Sequence, residues 1–170
     1  MSQKSIVAFL VENKPGVLFN VANLFRRRGF NIHTISTGTL LDGDVTRMTI
    51  IVDSDDRALN QIIEQLDKMV DVIVVRRLEP VRTILRELLL VKLNVADPMA
   101  REEALRVINA YHGLIHDIDP ESLIAEVTGE PERIDQFLEQ VKSIGIEEMS
   151  RTGATALEKG RLKLELDEKW

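Results

Sequence analysis

Residues 59–66, Leu59-Asn60-Gln61-Ile62-Ile63-Glu64-Gln65-Leu66, return without a gap at 134–141 as Ile134-Asp135-Gln136-Phe137-Leu138-Glu139-Gln140-Val141. Three positions are identical and every apolar position is matched in kind. Any amphipathic helix would produce the apolar matches by itself. The repeat therefore rests on what surrounds the two stretches, and there the order of elements is shared as well.

Upstream of the first copy, Ser5 to Val11 is a short apolar, β-rich run that reads as a strand buried on both faces. Glu12-Asn13-Lys14-Pro15-Gly16 follows, then Val17, Leu18, Val21, Leu24 and Phe25 at helical spacing. Pro15 suits the first turn of that helix, where a missing N–H costs nothing. Arg26-Arg27-Arg28 before Gly29 marks its end, because cations favour a helix C-terminus and glycine caps it. Strands over Phe30 to Leu40 and Thr46 to Val52 flank Leu41-Asp42-Gly43-Asp44, whose Asp-Gly step signals a hairpin. Asp53-Ser54-Asp55-Asp56 supplies N-cap candidates for the helix of the first copy, and Val70 to Leu78 closes the set as a fourth strand.

The second half repeats this βαββαβ order: strand Glu87 to Val95, helix Met99 to His112, strands Gly113 to Ile118 and Ser122 to Gly129, a helix opening at Glu130-Pro131, and strand Ile146 to Ser150. Such a unit folds as an antiparallel sheet with both helices on one face. The expected fold is α+β, two tandem ferredoxin-like domains over residues 1–79 and 80–170, the second carrying a C-terminal tail. Val7, Phe9 and Val11 alternate with Ile6, Ala8 and Leu10, so the first strand is apolar on the face away from the helices too. A small domain with an open apolar face favours association, and a dimer is expected.

Bulk properties exclude several classes of function. The chain has 170 residues, no cysteine and a net charge of −6. Disulfides, thiolate metal sites and cysteine nucleophiles are excluded, and a partner held mainly through phosphates is disfavoured. An RNA-recognition module shares the βαββαβ order but stacks bases on aromatics of its central strands, and Arg47 to Val52 has none. The apolar run near the N-terminus is too short to span a bilayer, so a cytoplasmic protein with no membrane partner is expected. His33, His112 and His116 form no Ser–His–Asp order, and no paired-carboxylate or Gly-rich phosphate motif accompanies them. Neither catalytic nor metal-binding residues are assigned. Arg26-Arg27-Arg28, Arg76 and Arg77 read as solvated charges at element ends.

The first strand–helix turn is the candidate site. A helix N-terminus offers unpaired N–H groups and partial positive charge to an anion, and Gly16 has no Cβ to keep a carboxylate away. Asn13 and Asn31 offer amide oxygens to an ammonium group. Val17, Leu18 and Ile32 suit an apolar side pocket. Carboxylate, ammonium and small apolar side chain describe a free amino acid; the alternative is a plain helix cap over core residues. The equivalent turn of the second repeat, Ala96-Asp97-Pro98-Met99-Ala100, lacks the glycine and places Asp97 where an anion would be repelled.

Glu12 to Leu18 and Leu24 to Ile32 resemble the amino-acid-sensing ACT domain of the small, regulatory subunit of acetolactate (acetohydroxyacid) synthase. So do Arg47-Met48-Thr49-Ile50, Gln65 to Val72, Arg86 to Lys92, and the closing Arg151-Thr152-Gly153 with Ala156-Leu157 and Lys159-Gly160. The resemblance spans essentially the whole chain. It departs at Phe19 and Asn20, where smaller or more polar residues are common, and at His33, where the family more often has an acidic residue. What it implies is a non-catalytic chain that activates a catalytic large subunit and confers feedback inhibition by a branched-chain amino acid, usually valine, otherwise leucine or isoleucine. The partner would carry thiamine diphosphate, Mg and FAD; this chain would carry no cofactor. The resemblance also implies an effector held between two ACT domains of a homodimer, near Asn13, Gly16 and Asn31. An ACT-domain sensor of another metabolic enzyme is the alternative.

Overall fold

The computed structural model describes residues 3–41 and 43–165. Asp42 of the hairpin signal and residues 166–170 of the expected tail lie outside the described residues. Two compact units emerge: one is built from the chain up to Ile84 together with the stretch from Ala154, the other from Leu85–Gly153.

In the first unit, β1 (Gln3–Glu12), α1 (Val17–Arg28), β2 (Ile32–Thr39), β3 (Val45–Ser54), α2 (Asp56–Asp67) and β4 (Val72–Leu78) follow the expected order. The sheet runs β2-β3-β1-β4 with antiparallel neighbours. Val7, Phe9 and Val11 of β1 and Met48, Ile50 and Val52 of β3 form one core with Val17, Val21 and Phe25 of α1 and Leu59, Ile62 and Leu66 of α2. Strand alternation thus sends every second side chain into the helices. Asp55 caps α2 through a bond from the Ala58 N–H at 2.7 Å. Gly29, at φ 70°, ends α1 by donating to the carbonyls of Arg26 and Phe25, behind three arginines. At the start of α1 the structure departs from expectation. Pro15 lies in the preceding turn, and the N-cap is Gly16 at φ 88°, a left-handed conformation that glycine enters without steric cost.

The second unit holds β5 (Thr83–Asn94) for most of its length, α3 (Pro98–Ala110), β6 (Leu114–Ile118), β7 (Ser122–Gly129), α4 (Pro131–Val141) and β8 (Ile146–Arg151). Its sheet order, β6-β7-β5-β8, repeats that of the first unit position for position. Leu89, Val91, Leu93, Leu123, Ala125 and Val127 pack on Ala104, Val107 and Ile108 of α3 and Ile134, Phe137 and Val141 of α4.

The closing segment does not stay with the second unit, as the expected 80–170 domain has it. After Arg151 the chain forms a ninth strand, β9 (Thr155–Glu158), which pairs with β5; Lys159 N–H donates to Arg82 C=O at 2.7 Å. Its carbonyls are taken by arginines of the first sheet: Arg47 Nη2 donates to Ala156 O at 2.8 Å and Arg76 Nη1 to Lys163 O at 2.9 Å. Leu157, Leu162 and Leu164 line a small cavity with Arg47 and Leu78. On the sheet face away from the helices, expected to be open, the β1 side chains are buried: Ile6, Ala8 and Leu10 are 3%, 0% and 6% exposed. Arg76 is accordingly a clamp on backbone rather than a free edge charge.

Candidate functional site

The β1–α1 turn is fastened to the β2–β3 turn by two bonds. Asn13 N–H donates to Asp44 O at 2.8 Å and Asn13 Nδ2 to Gly43 O at 2.7 Å. Using Nδ2 in this way leaves Oδ1 of Asn13 as an acceptor toward solvent. Between the two turns lies a cavity of about 230 Å³, lined by Asn13, Lys14, Val17 and Leu18 on one side and Thr37–Thr39, Thr46 and Met48 on the other. Pockets for drug-sized molecules run to roughly 300–1,000 Å³, so this one suits a ligand of a few heavy atoms. Among the described residues no side chain caps the α1 N-terminus, and no acidic residue sits in its first turn, whereas Asp55 and Asp97 cap α2 and α3. Lys14 pairs with Glu12 at 2.6 Å, which holds its ammonium above the ordinary lysine range. Glu12 also lines the cavity and its carboxylate offsets Lys14, so it is the α1 N-terminus that favours an anion; the floor of Val17 and Met48 is apolar and buried.

Of the residues read from sequence, Asn13, Val17 and Leu18 line the cavity. Gly16 is the helix N-cap beside it. A Cβ on Gly16 would meet nothing within 4 Å, so its conformation, not crowding, demands glycine in the single chain. Asn31 and Ile32 are elsewhere. Ile32 pairs near the end of β3, with Val52, while Thr39 pairs near its beginning, with Thr46. The eight residues of β2 span about 25 Å at the usual rise per residue, so Asn31 stands that far from the cavity end of the strand. The threonines and Gly38 of the β2 end escaped sequence reading. The Asp-Gly signal located their turn, but the Asn13 bonds to Asp44 and Gly43 are what show which turn it faces.

The second unit has a cavity in the equivalent place, of about 590 Å³, lined by Val95, Ala96, Pro98, Arg101, Ile118, Asp119 and Pro120. Its polar groups are engaged locally. Arg101 donates to the Asp119 and Pro120 carbonyls at 2.6 and 2.7 Å, Asp97 accepts from Ala100 N–H, and Asp119 accepts from the Glu121 and Ser122 N–H groups. His116 pairs with Glu126 at 2.8 Å. Among the described residues no group of three or more His, Cys, Asp or Glu is placed to hold a metal ion, and no helix is long and apolar enough to cross a membrane.

Comparison with known proteins places this geometry in a family. Residues 7–74 match the model of the acetohydroxyacid synthase small subunit-like ACT domain, and residues 86–160 that of the small subunit of acetolactate synthase. A probable acetolactate synthase small subunit of Methanothermobacter thermautotrophicus is 49% identical over 155 residues, covering 91% of this chain and 92% of that one. The acetolactate synthase small subunit of Mycolicibacterium smegmatis is 38% identical over 154 residues, covering 91% and 90%. The crystal structure of the Thermotoga maritima small subunit superposes with a TM-score of 0.88 at 34% identity, over 94% of this chain and 99% of that one. With two ferredoxin-like βαββαβ units, the first an ACT domain, matched along nearly its whole length, the chain belongs to the acetolactate synthase small subunit family.

Proposed function

We propose that this chain is the regulatory, non-catalytic partner of an acetolactate synthase catalytic subunit, raising its activity and making it sensitive to a branched-chain amino acid, valine in the first place. Family membership supports the partnership, since the relatives are small subunits of that enzyme by name. The sensing role rests on one observation: a small cavity, apolar at its floor, opens at a helix N-terminus that no side chain among the described residues caps. The ligand's carboxylate would face the first N–H groups of α1, its ammonium the Asn13 Oδ1, and its isopropyl group Val17 and Leu18.

The effector site in this reading is shared between two copies. Asn31 and Ile32 are a strand length from Asn13 within one chain, yet β2 is an edge strand whose outer side pairs with no other strand among the described residues. Two β2 edges related by a two-fold axis run antiparallel. Pairing them about their middle sets Asn31 of one copy beside Thr39 and Leu40 of the other, at the mouth of its cavity. The ammonium held by Asn13 Oδ1 of one copy then gains Asn31 of the other, so the site is completed in the dimer. Calorimetric titration of the purified chain with valine, leucine and isoleucine, alongside sedimentation with and without valine, tests this. Saturable heat with valine and a dimer tightened by it are expected. No heat with any of the three would overturn the reading.

A further inference from the structure

We infer that Arg47 is the positioning residue through which occupancy of the α1 cavity reaches the closing segment, residues 154–165; this rests on the effector reading above. Strand alternation puts its neighbours and its own side chain on opposite faces of the first sheet. Thr46 and Met48 line the cavity on the helix side. Arg47, between them, reaches the other side and holds Ala156 O at 2.8 Å. Its cross-strand partners are Leu10 on β1 and Gly38 on β2, and Gly38 is itself a cavity residue.

The bond is built to respond. The Arg47 side chain is half-buried, and its Nε is buried without a hydrogen-bond partner among the described residues. Burial lowers its pKa, with Glu158 acting against that from the closing segment. A buried donor left unmatched is costly, so small shifts of the strand change how well this side chain is satisfied. Ala154 and Ala156 of that segment are fully buried, which leaves it little freedom to follow unless it moves as a piece. A ligand wedged between the end of β2 and the start of β3 fixes the pleat at Thr46 and Met48. It thereby fixes the stem of Arg47 and raises the occupancy of its bond to Ala156. The segment so held carries exposed Leu157 and Leu162, which places an apolar surface under effector control.

Hydrogen exchange of the full chain, followed with and without saturating valine, tests the inference. The amides of residues 155–158 are expected to exchange at least several-fold more slowly with valine bound. In Arg47→Met that response vanishes while the calorimetric heat of valine binding persists, and Arg47→Lys, which keeps a donor, restores part of it. Arg76→Met is the internal control: it frees the Lys163 carbonyl and leaves the valine response at 155–158 intact. Valine heat in the wild type with unchanged exchange at 155–158 would overturn the inference and leave the effector reading standing. So would a full wild-type response in Arg47→Met, or in Arg47→Leu should the methionine variant not fold. Absence of valine heat in the wild type would overturn both.

Discussion

Asn13 and Asn31, the two asparagines of the proposed site, stand at opposite ends of edge strand β2. Asn13 donates to Asp44 at the hairpin end, and Asn31 precedes Ile32, which pairs with Val52 at the other. One chain separates them by about the length of the strand, 25 Å. A site that uses both must therefore draw one from each copy.

Mixing variants tests that division of labour. Asn13→Ala and Asn31→Ala are each expected to lose valine binding as homodimers. In a two-fold dimer, a mixed pair rebuilds one intact site, so subunit exchange at equal amounts should restore about a quarter of the wild-type sites. Calorimetry after exchange, with mixed dimers verified by native mass spectrometry, reads this directly. Mixed dimers without recovered heat would show that both asparagines act within one chain.

Gly16 separates charge from backbone. At φ 88° asparagine and aspartate are tolerated better than other residues, while a β-branched residue costs about 1–2 kcal/mol. Gly16→Asn and Gly16→Asp should thus melt within a few degrees of one another. Gly16→Asn should keep valine affinity within a few-fold, and Gly16→Asp should lose it by roughly a hundredfold through like-charge repulsion. Equal affinities in the two variants would remove the carboxylate from the α1 N-terminus.

Much of this architecture is legible in the residues. The two βαββαβ orders, the Asp55 cap and the Gly29 stop all follow from periodicity and terminal chemistry, because each is a local event. The return of the closing segment is not. Thr155 to Glu158 is too short to show a period, and its partner strand starts at Thr83 with exposed Ile84 and Arg86 among its first residues. Arg76 looked like an edge charge for the same reason, since the Lys163 carbonyl it holds is 87 residues away. The candidate site divided likewise: Asn13, Val17 and Leu18 are neighbours in sequence and in space. The distance to Asn31 depends on the β2–β3 register, which no stretch of sequence encodes alone.

The β6–β7 turn supplies a pH-dependent marker for the second unit. Asp119 accepts from the Glu121 and Ser122 N–H groups, each at 2.8 Å, and from Ser122 Oγ; these bonds hold its carboxyl below the ordinary range. A depressed carboxyl stabilises the fold above its unfolded pKa, and that contribution fades as pH falls through the lower folded value. The Glu121 and Ser122 amide resonances should therefore titrate with a midpoint below about 3.9, the ordinary aspartate value. Asp119→Asn should abolish that titration and keep the turn. A midpoint at or above the ordinary value would show that these bonds do not favour the charged form.

Arg151 ties β8 to β5 and α4 in the second unit. It donates from Nε to Glu87 Oε2 and from Nη1 to Asp135 Oδ1, both at 2.6 Å, and from Nη2 to Pro131 O at 3.3 Å. Burial disfavours its charge, yet the bonds to Asp135 and Glu87 outweigh this and raise its pKa. Glu87 is 4% exposed, so removing the arginine strands a carboxylate in the sheet. Arg151→Met should cost about 3 kcal/mol in urea unfolding. The pair itself adds little beyond neutralising that carboxylate, so Glu87→Gln in the Arg151→Met background should recover most of the loss. Valine binding by the folded variants should be unchanged, since the proposed site is built from first-unit residues. A double variant no more stable than Arg151→Met would place the loss in the Asp135 and Pro131 contacts, where Asp135→Asn should reproduce it.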